Sequence, residues 1–163
     1  MDNVNKNMLL KTNNKINDTD VKKSSIIDNC KESLFIQKGL LISLDDDSPL
    51  FICRQISYCN FIFLDTPYFN ISLPGTYKIQ LIINIPQEVS LDTKIYIICN
   101  NKAIEGGDIN ISKKQTLESQ CYCMNTIFKT DTKSSLSINS LKQININAKK
   151  ADETLISVLI QKC

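Results

Sequence analysis

Between Ser72 and Ile85 the chain reads Ser-Leu-Pro-Gly-Thr-Tyr-Lys-Ile-Gln-Leu-Ile-Ile-Asn-Ile, a Pro-Gly corner running straight into an alternating segment. From Tyr77 to Ile85 the odd positions are Tyr, Ile, Leu, Ile and Ile, whereas the even ones, apart from Ile82, are Lys, Gln and Asn. A period of two predicts an antiparallel strand with one face in a core and the other in water. Pro74 presets φ for the second position of a turn and Gly75 can supply a positive φ at the third, which predicts a type II turn ahead of the strand.

The rest of the chain repeats this texture. Residues 1–33 are rich in Asn, Lys and Asp, with apolar residues at no steady period, and read as a flexible N-terminal arm. From Leu34 onward, short runs of Ile, Leu and Phe are separated by Pro, Gly, Asn and Asp, as in a single domain over 34–163. Strands are expected near 34–44, 50–57, 59–64, 67–72, 76–85, 94–99, 109–112, 120–129, 135–139, 143–148 and 154–162. No stretch carries a 3.6-residue apolar period and no internal repeat is visible, which leaves an all-β sandwich, jelly roll or barrel.

Composition narrows the functional classes. The 19 Lys and Arg are nearly balanced by 17 Asp and Glu, too even a distribution for a nucleic-acid-binding face. There is no histidine, so the residue most used for general acid-base catalysis and metal ligation is absent, and a cysteine nucleophile would lack its usual activator. The chain is expected to be non-enzymatic and to need no cofactor. No apolar run approaches a membrane span, and the first residues lack the basic and apolar segments of a signal peptide.

Seven cysteines are many for a reduced compartment, and none forms a C-x-x-C pair. The combination suits a protein made inside a cell and later exposed to oxidising surroundings, and equally one whose thiols stay reduced. In Gln120-Cys121-Tyr122-Cys123-Met124-Asn125-Thr126-Ile127-Phe128, alternation places Tyr122, Met124 and Phe128 on one face and both cysteines on the other. Their spacing along a strand is roughly 6.6 Å, against Cβ atoms about 3.8 Å apart in a disulfide. Each thiol would therefore need a partner on a neighbouring strand or another chain, or would stay a free small hydrophobe. Cys30, at the root of the arm, is a candidate to cross-link to Cys121, Cys123 or Cys163 of a neighbouring subunit. A thiolate metal site from Cys53, Cys59 or Cys99 lacks ligand spacing. Asp45-Asp46-Asp47-Ser48-Pro49 offers oxygen atoms of the kind calcium takes, but reads first as a solvated turn, and so does Gly106-Gly107-Asp108. The sequons at Asn70 and Asn110 carry little weight without a secretory signal.

The pattern Phe69-x-Ile71-x-x-Pro74-Gly75-Thr76-Tyr77-x-Ile79 resembles the Pro-Gly-Thr-Tyr strand of C1q/TNF-like jelly rolls, especially those ending the collagen-like proteins of the bacterial spore surface, the exosporium. Residues Ile95 to Ile104 resemble the family's next strand and hairpin, and Leu155 to Ile160 its closing strand. The likeness covers roughly residues 35–163. It departs from the family in having no Gly-X-Y segment, only 4 glycines and many cysteines, so a filament tip on a collagen stalk is not implied. In layout alone, a cysteine-bearing arm ahead of a jelly roll is similar to endospore appendage subunits.

The resemblance implies a two-sheet antiparallel sandwich that assembles with itself. The leading expectation is a structural subunit of a cell- or spore-surface layer or appendage, partnered by its own copies and by other surface-layer proteins, held by intersubunit contacts and disulfides. The alternative is a trimeric recognition module binding a protein or glycan through its loops.

Overall fold

The computed structural model describes residues 31–163. Cys30 and nearly all of the expected arm lie outside the described residues. The described chain contains twelve strands: β1 Glu32–Lys38, β2 Leu40–Ile42, β3 Arg54–Ser57, β4 Ile62–Asp65, β5 Tyr68–Ile71, β6 Gly75–Ile85, β7 Leu91–Cys99, β8 Lys102–Lys113, β9 Gln120–Thr130, β10 Ser134–Ser140, β11 Asn145–Asn147 and β12 Thr154–Lys162. No helix occurs among the described residues.

Two five-stranded antiparallel sheets, ordered β3-β1-β12-β6-β9 and β4-β5-β10-β7-β8, face each other, and a small β11-β2 ribbon lies at one end. The last strand, β12, is the central strand of the first sheet, inserted between the first, β1, and β6, so closing that sheet requires both ends of the domain. This crossing of sequence-distant strands is the jelly-roll arrangement.

Alternation in the sequence becomes the core directly. Tyr77, Ile79, Leu81, Ile83 and Ile85 of β6 are all buried, and Ile79, Leu81 and Ile83 lie opposite Ile160, Val158 and Ile156 of β12. On the other flank Tyr77 pairs with Phe128 and Leu81 with Met124 of β9, the two rings stacking with centroids 5.7 Å apart. The second sheet answers with Phe69, Ile71, Ile95, Ile97, Leu136 and Ile138. Phe35 and Phe69 bridge the layers edge to face at 4.7 Å, a geometry the ring quadrupoles favour.

Four local expectations are corrected. The strand expected over 34–44 breaks at Gly39, which takes φ +71°, a left-handed conformation open to glycine at little cost. The chain there turns away so that β2 can pair with β11. Of the strand expected over 50–57, only Arg54–Ser57 is in a sheet ladder, because Leu50 and Ile52 instead plunge into the core. Gly75 opens β6 with φ +152°, far from the roughly +80° of a type II turn. Finally, Gly106-Gly107-Asp108 is not a turn but part of β8. Tyr96 pairs with Asp108 and Ile98 with Ala103, so residues 104–107 stand opposite Ile97 alone, and the glycines form a wide bulge in an edge strand.

Candidate functional site

The first sheet presents its outer face unevenly. On a sandwich with a wet exterior, the residues alternating with the core positions should be polar. Here Leu34 of β1 lies directly opposite Leu159 of β12, and one step along the sheet Ser157 of β12 lies opposite Ile82 of β6. Leu34, Leu159 and Ile82 line one groove together with Gln80, Ser157, Ser57 and the charged Glu32, so three aliphatic side chains from three strands form a patch. Ile127 on β9 adds a side chain that is 63% exposed.

Beside that patch sit the two thiols expected from the sequence. β9 is the last strand of the sheet, its backbone ladder running along β6, and Cys121 and Cys123 pair with Asn84 and Ile82 respectively. Both cysteines are exposed on the outer face, while Met124 and Phe128 are buried and Tyr122 packs inward. Their side chains lean together until the Sγ atoms are 3.8 Å apart, much closer than the backbone repeat. Partial burial, reinforced by the hydrogen bond and the charge of Cys123, pushes the Cys121 thiol above its ordinary pKa.

The remaining cysteines are dispersed. Cys163, exposed, follows β12, where its backbone N–H donates to the Thr76 carbonyl. Cys123 lies opposite Ile82, six residues along β6 from Thr76. At about 3.4 Å per residue that is roughly 20 Å, so Cys163 cannot bridge to Cys123, or to the more distant Cys121, within one subunit. Cys53 is exposed, Cys59 is buried, and Cys99 is half-buried. Burial raises the Cys99 thiol, and a hydrogen bond with Ser134 partly offsets this. Cys53, Cys59 and Cys99 do not converge, and among the described residues no group of three or more His, Cys, Asp or Glu side chains could hold a metal ion.

The acidic loop is tied into the protein itself. The Asp46 carboxylate accepts from the Gln143 backbone N–H at 2.7 Å, and the Asp47 carboxylate from the Tyr96 hydroxyl at 2.8 Å. Ser48 Oγ donates to the Asp45 carbonyl, and Asn139 Nδ2 to the Asp47 carbonyl, so the loop is fastened over β10 and β7. Lys113 is buried, with its ammonium donating to the carbonyls of Val89 and Lys114. None of these groups forms a nucleophile-base pair aimed into a cleft.

The shared face of the two thiols is legible in the sequence, whereas the aliphatic patch is not. Ile82 was its one signal, as the apolar residue at a wet position of β6. Leu34 and Leu159 are 125 residues apart and meet only through the strand order.

No protein-family model matches the chain, and no curated protein matches it in sequence. Solved structures do match in fold. The globular domain of zebrafish complement 1qA protein aligns with a TM-score of 0.53 at 11% identity, covering 80% of this chain and 94% of that one. A crystal structure of murine APRIL at pH 8.5 aligns with a TM-score of 0.50 at 4% identity, covering 80% and 98%. At such identities the likeness shows the fold alone.

Proposed function

The fold is an all-β, C1q/TNF-like jelly roll, and from it we propose that the protein is a non-enzymatic, self-associating subunit whose copies meet through the outer face of the β3-β1-β12-β6-β9 sheet. One observation carries this reading: Leu34, Leu159 and Ile82 form an aliphatic patch on an outward sheet face. A contiguous patch of this kind, rimmed here by Glu32, Gln80, Ser57 and Ser157, marks an interaction surface. The partner is a second copy of this chain, and the assembly belongs to a cell- or spore-surface layer. Exposed Cys121, Cys123 and Cys163 are the candidates for disulfides to Cys30 of a neighbouring copy. Likeness in fold to the complement 1qA domain favours a second form of the reading, in which a closed trimer presents its loops to a protein or glycan.

The test is light scattering after size exclusion, joined to electron microscopy. The wild type is expected to be oligomeric at micromolar concentration. Leu159→Lys combined with Ile82→Lys is expected to give monomers with an unchanged circular dichroism spectrum, since both side chains point outward. Closed particles would select the recognition module and open polymers the structural subunit. A wild type that stays monomeric at about 100 μM, weaker than a ~5 kcal/mol association, would overturn both.

A further inference from the structure

Two thiols 3.8 Å apart on an exposed strand can be used in two ways, and the geometry separates them. A disulfide needs its sulfurs about 2.05 Å apart and its Cβ atoms about 3.8 Å apart. Cys121 and Cys123 are consecutive outward positions of a continuously paired strand, whose Cβ atoms are set by the two-residue repeat at roughly 6.6 Å. Closing that bond would require breaking the β9 ladder with β6. A tetrahedral cation asks for something else: with metal-sulfur bonds of about 2.3 Å, the edge of the tetrahedron, and so the sulfur-sulfur distance, is about 3.8 Å. The observed separation fits this without movement of the backbone.

We propose that Cys121 and Cys123 form a two-thiolate chelate for a thiophilic divalent cation of the zinc or cadmium class. As each sulfur-metal bond forms, the thiol gives its proton to solvent, so one bound cation releases two protons and no electrons are transferred. The two cysteines fill two of four tetrahedral positions, and the remaining two face outward, toward water. The residues opposite on β6, Asn84 and Ile82, and the next outward residue of β9, Asn125, carry no charge. No lysine occupies those positions to repel the cation, and no carboxylate to recruit a harder one. A bound cation takes two of the three exposed cross-link candidates, Cys121 and Cys123, and leaves Cys163 as the third.

Cadmium alone is the probe, titrated into the full reduced chain while the ultraviolet thiolate-to-cadmium charge-transfer band is followed. Saturation near one cation per chain is expected for the tightest phase. Cys121→Ser and Cys123→Ser should each weaken that phase at least about tenfold, as loss of one arm of a chelate does, whereas Cys53→Ser and Cys163→Ser should leave its midpoint in place. Both paired positions are exposed, so the serine variants should keep the wild-type circular dichroism spectrum. Absence of a band in the wild type, or an unchanged midpoint in the Cys121→Ser/Cys123→Ser double variant, would overturn the chelate. Because Cys123 lies opposite Ile82 on the face through which copies are proposed to meet, the titration is repeated on the Leu159→Lys/Ile82→Lys variant, so that failure of the chelate is read separately from failure of the sheet-face assembly.

Discussion

The Tyr77 hydroxyl donates to the Leu73 carbonyl at 2.7 Å, fastening the first buried residue of β6 back across the Pro74-Gly75 corner. The ring is fully buried and stacked on Phe128, so its polar end has to find a partner inside the protein, and the corner supplies it. Burial, with a smaller contribution from the charge of Cys59, raises the Tyr77 pKa and keeps the hydroxyl a donor. Gly75 makes the geometry accessible through φ +152°, and a Cβ there would stand 2.8 Å from Lys162 Cε. The lysine end can swing aside, so the cost of Gly75→Ala lies in the backbone, about 1–3 kcal/mol. Tyr77→Phe should cost about 1 kcal/mol by removing one hydrogen bond. Urea denaturation measures both. A Gly75→Ala variant as stable as the wild type would mean that the corner relaxes to a different backbone path.

Leu81 and Gln80 are neighbours on β6 that face opposite ways. Leu81 lies among Val158 and Met124 in the centre of the core, while Gln80 looks onto the outer groove. Leu81→Ala should cost about 2–5 kcal/mol, through lost burial and the cavity left behind. Gln80→Ala should change the stability of the isolated subunit by less than about 0.5 kcal/mol. Equal losses in denaturant titrations would contradict the two-faced strand.

Most of this architecture was legible in the sequence because β6, β9 and β12 are each buried on one face and so write their burial as a period of two. The N-terminal half of β8 was not. It is an edge strand in which Lys102, Ala103, Glu105 and Gly106 are exposed, and its bulge leaves residues 104–107 without a one-to-one register, so no alternation survives. The glycine pair that looks like a turn is what lets the strand bulge. The sheet-face patch was hidden for a different reason. Register between β1 and β12 places Leu34 on Leu159, and pairings across 125 residues are set by topology rather than by local pattern. For Cys121 and Cys123 the sequence supplied the shared face and the backbone spacing. The approach of the sulfurs depends on side-chain rotation, which the strand repeat does not encode.

Deletion of residues 154–163 would remove a strand that lies between β1 and β6 and carries Leu155, Ile156, Val158 and Ile160, all buried. Both neighbours would then expose unpaired ladder groups beside open core. The truncated chain is expected to aggregate or to lose the β-sheet circular dichroism signal. A soluble truncation with an unchanged spectrum would show that β12 is peripheral.

Tyr96 and Asp47 provide a pH-dependent contribution with a definite sign. Burial, followed by the hydrogen bond to Asp47 and that carboxylate's charge, pushes the Tyr96 pKa from 10.0 up to about 12. The folded state therefore holds the phenolic proton more tightly than the unfolded state does. The stabilisation is complete below about pH 10 and is lost as pH rises through 12, because over that interval the unfolded chain has already released its proton. Deprotonation also sets a phenolate against the Asp47 carboxylate and loosens the loop over β7. Tyr96→Phe removes the hydroxyl and with it this contribution. Urea titrations of both proteins should show the wild type more stable at about pH 9, with the difference shrinking as the solution approaches pH 12. A difference that stays constant over this interval would show that the Tyr96–Asp47 contact is not what holds the proton.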